Sequence, residues 1–299
     1  MDAFDYVAVS KIEDAIDLLN QPDKHVCILA GGTDLIVQLR EGGRSADLVV
    51  DIKKIPELKQ CSFDLTNGLR IGAAVSCGEL INTPAVKVLY PGLLDAARII
   101  GGWQIQSRAT LGGNLCNASP AADSVPALIV HGAQATIAGP QGQRSVPVEE
   151  VCLGPGRNSL QAGELLISLE LPPPPPNSGG AYLRMIPRYE MDIAIAGCGA
   201  WLKLSDDQTT IEQARLALAA VGPTAFLPEN AIDFLPGKPA NEETFSEAAR
   251  LVATGAKPIS DLRGPAEYRL HLCEILSKRS LMRAFQQAAG QPNTAMLPT

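Results

Sequence analysis

Two short stretches carry the residue types that grip anions. Gly31 and Gly32, followed by Thr33 and Asp34, stand directly after an apolar run of strand length, residues 25–30, and before a helical pattern over residues 35–40. At a strand-to-helix junction unpaired backbone N–H groups and the helix dipole point outward, which suits a phosphate. Glycine also lets the backbone approach a ligand with no Cβ in the way. The stretch is neither a Gly-x-Gly-x-x-Gly fingerprint nor a P-loop, since no Gly-Lys-Ser/Thr follows. Taken alone it is equally a plain turn with Thr33 or Asp34 as N-cap. The second stretch is Thr110, Leu111, Gly112, Gly113 and Asn114, continuing through Asn117, Ser119 and Asp123. Asp123 can accept hydrogen bonds from a sugar or ribitol hydroxyl, or the Asn and Ser residues can satisfy their own backbone. A diphosphate-bearing cofactor gripped from two sides would account for both stretches.

The elements that must position these loops are legible from periodicity and turn chemistry. Ser10 and Glu13 have capping-box spacing, and Ile12, Ile16 and Leu19 recur at helical intervals, which predicts a helix over residues 11–20. With strands over 25–30 and 46–52 and the helix between them, a small β-α-β unit closes near residue 55. A hairpin follows, with strands near 61–65 and 69–74 turning through Asn67 and Gly68. Ser76 and Glu79 repeat the capping box, and a helix covers 91–100. Residues 101–128, rich in Gly, Ser, Asn, Ala and Pro, have little periodicity and read as a long functional loop. Short strands fill 133–171. Five consecutive prolines, 172–176, then form a stiff extended spacer. Beyond it, strands near 181–188 and 192–204, a third of mixed character near 210–222, and helices near 242–254 and 265–288 describe an α+β unit. The expected organisation is 1–55 and 56–171 as two cofactor-binding subdomains, 172–180 as linker, 181–290 as a C-terminal α+β domain, and 291–299 as a frayed tail.

Composition narrows the function classes. The chain has 299 residues, 46% hydrophobic and 19% charged, with a net charge of −7. That acidity and the lack of a Lys/Arg-rich run argue against a nucleic-acid partner. No apolar run approaches the roughly 18 residues that span a bilayer, and the acidic first twenty residues do not resemble a signal peptide, so a cytoplasmic location is expected. Seven scattered cysteines, with no Cys-x-x-Cys pair, suggest neither a disulfide framework nor a metal site.

The motifs "AGGTDL" (30–35), "IGAAVSCGEL" (71–80) and "ATLGGNLCNASPAADSVPAL" (109–128) resemble the FAD-binding loops and intervening strand of the flavin subunits of molybdenum hydroxylases, the family of xanthine dehydrogenase and carbon monoxide dehydrogenase. Downstream, "GELLISLELPPP", "RYEMDIAIAGCGAWLKL" and "RGPAEYRLHLCEILSKRSLMRA" continue the likeness, in the same order, from about residue 3 to 286. The resemblance implies an α+β fold: a two-part FAD-binding domain of the vanillyl-alcohol-oxidase/PCMH type, and a C-terminal α+β domain of the CO dehydrogenase flavoprotein type. It implies that Leu29, Ala30, Gly31, Gly32, Thr33, Asp34 and Leu35 wrap the FAD pyrophosphate through backbone N–H groups. Thr110, Gly113, Asn114, Cys116 and Asn117 would meet it from the other side. Asp123 matches an acidic residue that meets FAD hydroxyls, Leu166 or its neighbour Leu165 an apolar contact to the flavin, and Arg184 a basic residue near the ring. Glu190, Met191 and Asp192 match a mobile loop at the flavin face. The cysteine-rich loop of relatives that reduce aromatic acyl-CoA compounds is missing, and His25, His131 and His271 fall outside the matched loops.

The resemblance further implies an oxidoreductase subunit that does not hydroxylate the organic substrate alone. A molybdopterin-binding large subunit and an iron–sulfur small subunit, with two-iron clusters, would be its partners, and NAD, oxygen or a quinone its electron acceptor. Two other classes stay open at this stage: a self-contained FAD-dependent oxidoreductase, which would need a base such as His271 in the C-terminal part, and a scaffold without cofactor.

Overall fold

A computed structural model of the chain describes residues 2–188 and 191–291. The chain opens with β1 (Asp5–Ala8), α1 (Ile12–Leu19), β2 (Val26–Leu29), α2 (Leu35–Glu41) and β3 (Leu48–Asp51), forming a parallel sheet of order β1-β3-β2. This is the β-α-β unit expected from sequence, extended by β1, whose short and partly exposed run carries no readable alternation. The Ser10 capping box does not form. Val9 N–H is still bonded to Asp51 O, so the extended entry runs one residue further and Lys11 becomes the N-cap, with no side-chain cap bond. Gly42, at φ 75°, stops α2 in the left-handed region.

β4 (Cys61–Asp64) and β5 (Gly68–Gly72) form the hairpin turned by Asn67 and Gly68. The Ser76 capping box is complete: Glu79 N–H donates to Ser76 Oγ and Ser76 N–H to the Glu79 carboxylate, opening α3 (Cys77–Asn82). α4 (Pro84–Leu89) and α5 (Pro91–Arg98) follow, each with proline in its first turn.

Residues 101–128, expected as a loop, instead contain three helices: α6 (Trp103–Gln106), α7 (Leu111–Asn117) and α8 (Ser124–Val130). Two physical reasons hid them. Helices this short take their stability from packing and caps rather than propensity, and Thr110 supplies such a cap by accepting from Gly113 N–H at 2.9 Å. All seven residues of α8 are buried, so no polar face marks its period.

β6 (Gln134–Gly139), β7 (Gly142–Pro147), the small pair β8 (Cys152–Gly154) and β9 (Arg157–Asn158), and β10 (Leu165–Leu171) complete the first part. Its larger sheet is antiparallel, of order β4-β5-β10-β6-β7. After the prolines, β11 (Ser178–Met185), β12 (Ala196–Leu204) and β13 (Ile211–Ala219) form an antiparallel sheet. β11 begins at Ser178, so the last three residues assigned to the linker belong to this strand. The stretch of mixed character is a strand. α9 (Glu229–Phe234), unforeseen, precedes α10 (Glu242–Ala253) and α11 (Ala266–Ala288). Residues 292–299 of the expected frayed tail lie outside the described residues.

The last sheet is covered on both faces, which explains its nearly unbroken apolar strands. Ala181, Cys198, Ala200, Leu216 and Leu218 face the core under α10 and α11. Tyr182, Trp201 and Ala217, at the alternate positions, enter the core of the first part. Helices α5 and α8 lie on that second face.

A part-buried ion pair ties the two parts together. Asp95 of α5 accepts from Arg283 Nη2 of α11 at 2.8 Å and from the Tyr182 N–H at 3.3 Å. Burial pushes the Asp95 carboxyl from 3.8 up to about 6, against the pull of Arg283 and Arg98. A carboxyl raised in the folded chain favours its protonated form there, so its contribution to stability is full below 3.8 and is lost as pH rises through about 6. Asp95→Asn keeps the acceptor and removes this titration. Between pH 4.5 and 7.5 the wild type is expected to lose about 2 kcal/mol relative to the variant, read from urea unfolding at both pH values; parallel pH dependence of the two would contradict it.

Candidate functional site

The two Gly-rich stretches, about eighty residues apart, meet in space. A Cβ on Gly31 would lie 2.3 Å from Arg108 O and 2.9 Å from Ala109 Cα, so the first turn packs directly on the backbone leading into the second. Only glycine permits that approach. Together they line a cleft of about 560 Å³. Its walls include Ala30, Gly31, Gly32, Thr33, Asp34 and Leu35 on one side and Thr110, Gly113, Asn114, Cys116 and Asn117 on the other, with Leu165 and Leu166 from β10. Leu29 ends β2 beneath the turn, its Cδ1 2.8 Å from where a Gly32 Cβ would fall.

The turn is rich in unused donors. Among the described residues, the backbone N–H groups of residues 31–35 find no acceptor in the protein. Gly32, at φ 79°, bends this run, which opens α2 with Asp34 at the N-cap position and no side-chain bond there. Buried polar groups are normally paired, so N–H groups left free beside a cleft suit an anion that brings its own oxygens. The enclosing walls push the Asp34 carboxyl up.

The second stretch contributes differently from what its sequence suggests. Gly113 N–H is engaged by its own cap, Thr110, while the N–H groups of Leu111 and Gly112 have no acceptor among the described residues. Gly112 is small for packing: its Cβ would lie 2.7 Å from Ala73 O. Cys116 is an ordinary thiol, pushed by burial up to about 12.

Gln38, Asn158, His25 and Arg44 also line the cleft, and motif reading does not single them out. Gln38 Nε2 donates to Asn117 Oδ1 at 2.9 Å, a direct bond between the two halves. It stands one helical turn after Asp34, so period alone could have found it. Asn158 Nδ2 donates to Cys116 O at 2.7 Å across 42 residues, with no local signal. His25 reaches one end of the cleft, its Nδ1 3.4 Å from Ser45 Oγ.

Asp123 and Arg184, expected at the flavin, do not line the cleft. They form a buried ion pair, and Tyr182 Oη donates to the other Asp123 oxygen at 2.9 Å. Burial raises the Asp123 carboxyl, while Arg184 and Tyr182 pull it back. The next residue, Ser124, donates to Asn114 Oδ1 at 2.6 Å, so this pair sits one contact behind the cleft wall. Of the loop expected at the flavin face, Glu190 lies outside the described residues. Met191, at φ 52°, is exposed, and Asp192 pairs with the exposed Arg188 at 3.1 Å. His271 is exposed on α11 and His131 is buried.

Residues 2–174 match the family of the FAD binding domain in molybdopterin dehydrogenase, and residues 181–284 that of the CO dehydrogenase flavoprotein C-terminal domain. The chain belongs to the flavin subunits of the molybdenum hydroxylases. Among its relatives in this family, the xanthine dehydrogenase FAD-binding subunit of Escherichia coli O157:H7 is 33% identical over 96% of this chain and 97% of its own. The carbon monoxide dehydrogenase medium chain of Hydrogenophaga pseudoflava is 30% identical over 96% and 98%. The solved structure of that organism's carbon monoxide dehydrogenase, in a form lacking the Mo-pyranopterin moiety of the molybdenum cofactor, superposes with a TM-score of 0.91 at 30% identity, covering 96% and 98%. Quinoline 2-oxidoreductase from Pseudomonas putida 86 superposes at 0.88, with 30% identity and the same coverage. The flavin-subunit family makes this an FAD-dependent oxidoreductase subunit, and no helix among the described residues is long and apolar enough to cross a membrane.

The cleft fits FAD: unsatisfied N–H groups face it from one turn, two more come from the start of α7, and Leu165 and Leu166 offer an apolar wall. Gln38→Ala removes the bond that joins the halves. FAD binding is expected to weaken by about fivefold to tenfold, the worth of one hydrogen bond, measured by flavin titration; an unchanged dissociation constant would mean that Gln38 only decorates the wall.

Proposed function

We propose that this chain is the flavin relay of a heteromeric molybdenum hydroxylase, receiving electrons from two-iron clusters of an iron–sulfur small subunit and delivering them to NAD, oxygen or a quinone. Substrate oxidation would belong to the molybdopterin-binding large subunit. The observation that carries the reading is the row of acceptor-free N–H groups over residues 31–35, set against the second Gly-rich turn at the mouth of one cleft. FAD, when bound, supplies both one-electron steps and hydride transfer.

This chain's residues bind and orient. Residues 31–35 would hold the diphosphate through backbone donors, where a low-dielectric wall strengthens each bond. The apolar wall of Leu165, Leu166 and Ile100 would keep water from a bound cofactor. Arg184 has its charge matched by Asp123, so it supports the cleft from behind rather than acting as a free cation. The thiols of Cys77 and Cys273 are pushed by burial up to about 12, and that of Cys198 to about 11. These three are packing groups. Beyond Ile100 the chain exposes Trp103, 85% accessible, and Met191 lies beside Gly102. An apolar rim there supports a partner-facing role.

Purified protein is expected to be yellow and to release FAD, not FMN, on denaturation, because the donors are arranged for a diphosphate. The isolated chain should reduce an artificial acceptor at most, with hydroxylation restored only by partner subunits. Colourless protein that takes up no added FAD would overturn the cofactor assignment; robust hydroxylation by the chain alone would favour a self-contained enzyme.

A further inference from the structure

A second cavity, of about 170 Å³, lies between the proline run 172–175 and the sheet of the C-terminal part. Tyr90 and Trp201 supply aromatic walls, and His131, Gln213 and Arg215 the polar groups. Its volume is close to the roughly 150 Å³ that accommodates one benzene ring, and well below the range for nucleotides and drug-sized ligands.

The polar side is built and left unpaired. Gln213 and Arg215, two residues apart on β13, share one face, and Arg215 stands opposite Trp201 in the β12–β13 register. Gly132, at φ 69°, makes room for the guanidinium: a Cβ there would collide with Arg215 Nη1. Among the described residues Arg215 has no carboxylate within 4.0 Å. His131 Nε2 is buried without a hydrogen-bond partner, and the residue is only 7% exposed. Burial, then Arg215, pushes the His131 imidazole down to about 4, so the ring is neutral near pH 7. Arg215 is therefore the single charge facing the cavity from its lining.

We infer that this cavity is a binding site for a small monocarboxylic acid with a flat apolar body, its carboxylate on Arg215 and its body between the proline rings and Trp201. One cation matches one carboxylate, and a planar guanidinium takes that group through two parallel bonds. A phosphate dianion would leave a charge unmatched against proline and indole walls. Tyr90 Oη donates to Pro172 O at 2.9 Å and its ring meets His131 edge-on at 5.7 Å. The proline run is thus held as a fixed wall, and an occupant would stiffen the joint between the two parts of the chain. The inference does not depend on the flavin.

Benzoate is the probe, titrated by calorimetry into the full chain carrying its cofactor, with inorganic phosphate as the second arm. Saturable binding of one benzoate per chain is expected, together with a changed Trp201 fluorescence when Trp103→Phe removes the other indole. Arg215→Gln, at an exposed position without protein partners, should keep the fold by circular dichroism and weaken benzoate by at least about tenfold. Phosphate should bind at least about tenfold more weakly than benzoate. No saturable benzoate binding, or binding unchanged in Arg215→Gln, would overturn the site; phosphate binding as well as benzoate would overturn the ligand class.

Discussion

Gly31→Val is expected to strip the flavin from an otherwise folded chain. The first side-chain carbon would fall 2.3 Å from Arg108 O and 2.9 Å from Ala109 Cα. Those are backbone atoms, so neither can rotate away, and the two turns must separate. Separation misaims the free N–H groups of residues 31–35 and removes the wall formed by the second turn. Hydrogen bonds to a charged group contribute about 1.5–3 kcal/mol each. Losing two of them weakens FAD by two orders of magnitude or more. The measurement is flavin absorbance after gel filtration, with circular dichroism as the check on folding. Flavin content within about twofold of wild type would show that the contact between the turns does not organise the cofactor.

The second large effect concerns the pair behind the cleft. Asp123→Ala leaves Arg184 as an uncompensated charge whose side chain is 8% exposed, and leaves Tyr182 Oη without its acceptor. Breaking a buried pair from one side costs about 3–5 kcal/mol. At the scale of this chain that is a fall in Tm of roughly 6–20 °C. The double replacement Asp123→Leu with Arg184→Met should recover most of the loss, because an apolar pair of similar volume needs no compensation. Differential scanning fluorimetry on the three proteins decides the matter: a double variant as unstable as the single one would mean that shape, rather than charge, holds this region.

Asp123 also shows what residue type alone leaves open. An acidic residue beside small polar ones reads as a hydroxyl acceptor, and nothing local indicates that its partners lie 59 and 61 residues away on β11. Arg184 has the same history: a cation in a strand announces no counter-ion. Helical period places Gln38 on the face of Asp34, but its bond to Asn117 exists only once α2 and α7 are side by side. Within residues 101–128, the glycines of α7 lower its helix propensity, full burial of α8 leaves no polar face to mark a period, and the single turn of α6 is too short to show one.

The features legible in the chain alone are local and short-ranged. The hairpin at Asn67 and Gly68, the capping box at Ser76 and the strand-to-helix junction at Gly31 follow from turn and cap chemistry within a few residues. The stretch Gly31 to Leu35, its Gly-rich counterpart and the family likeness were likewise legible, because backbone anion sites need glycine at particular places. Long-range packing alone sets that the two turns touch and that Asp123 pairs with Arg184. Those outcomes depend on which surfaces meet across tens of residues, and hydrogen-bond donors pair with whatever acceptor packing brings within about 3 Å.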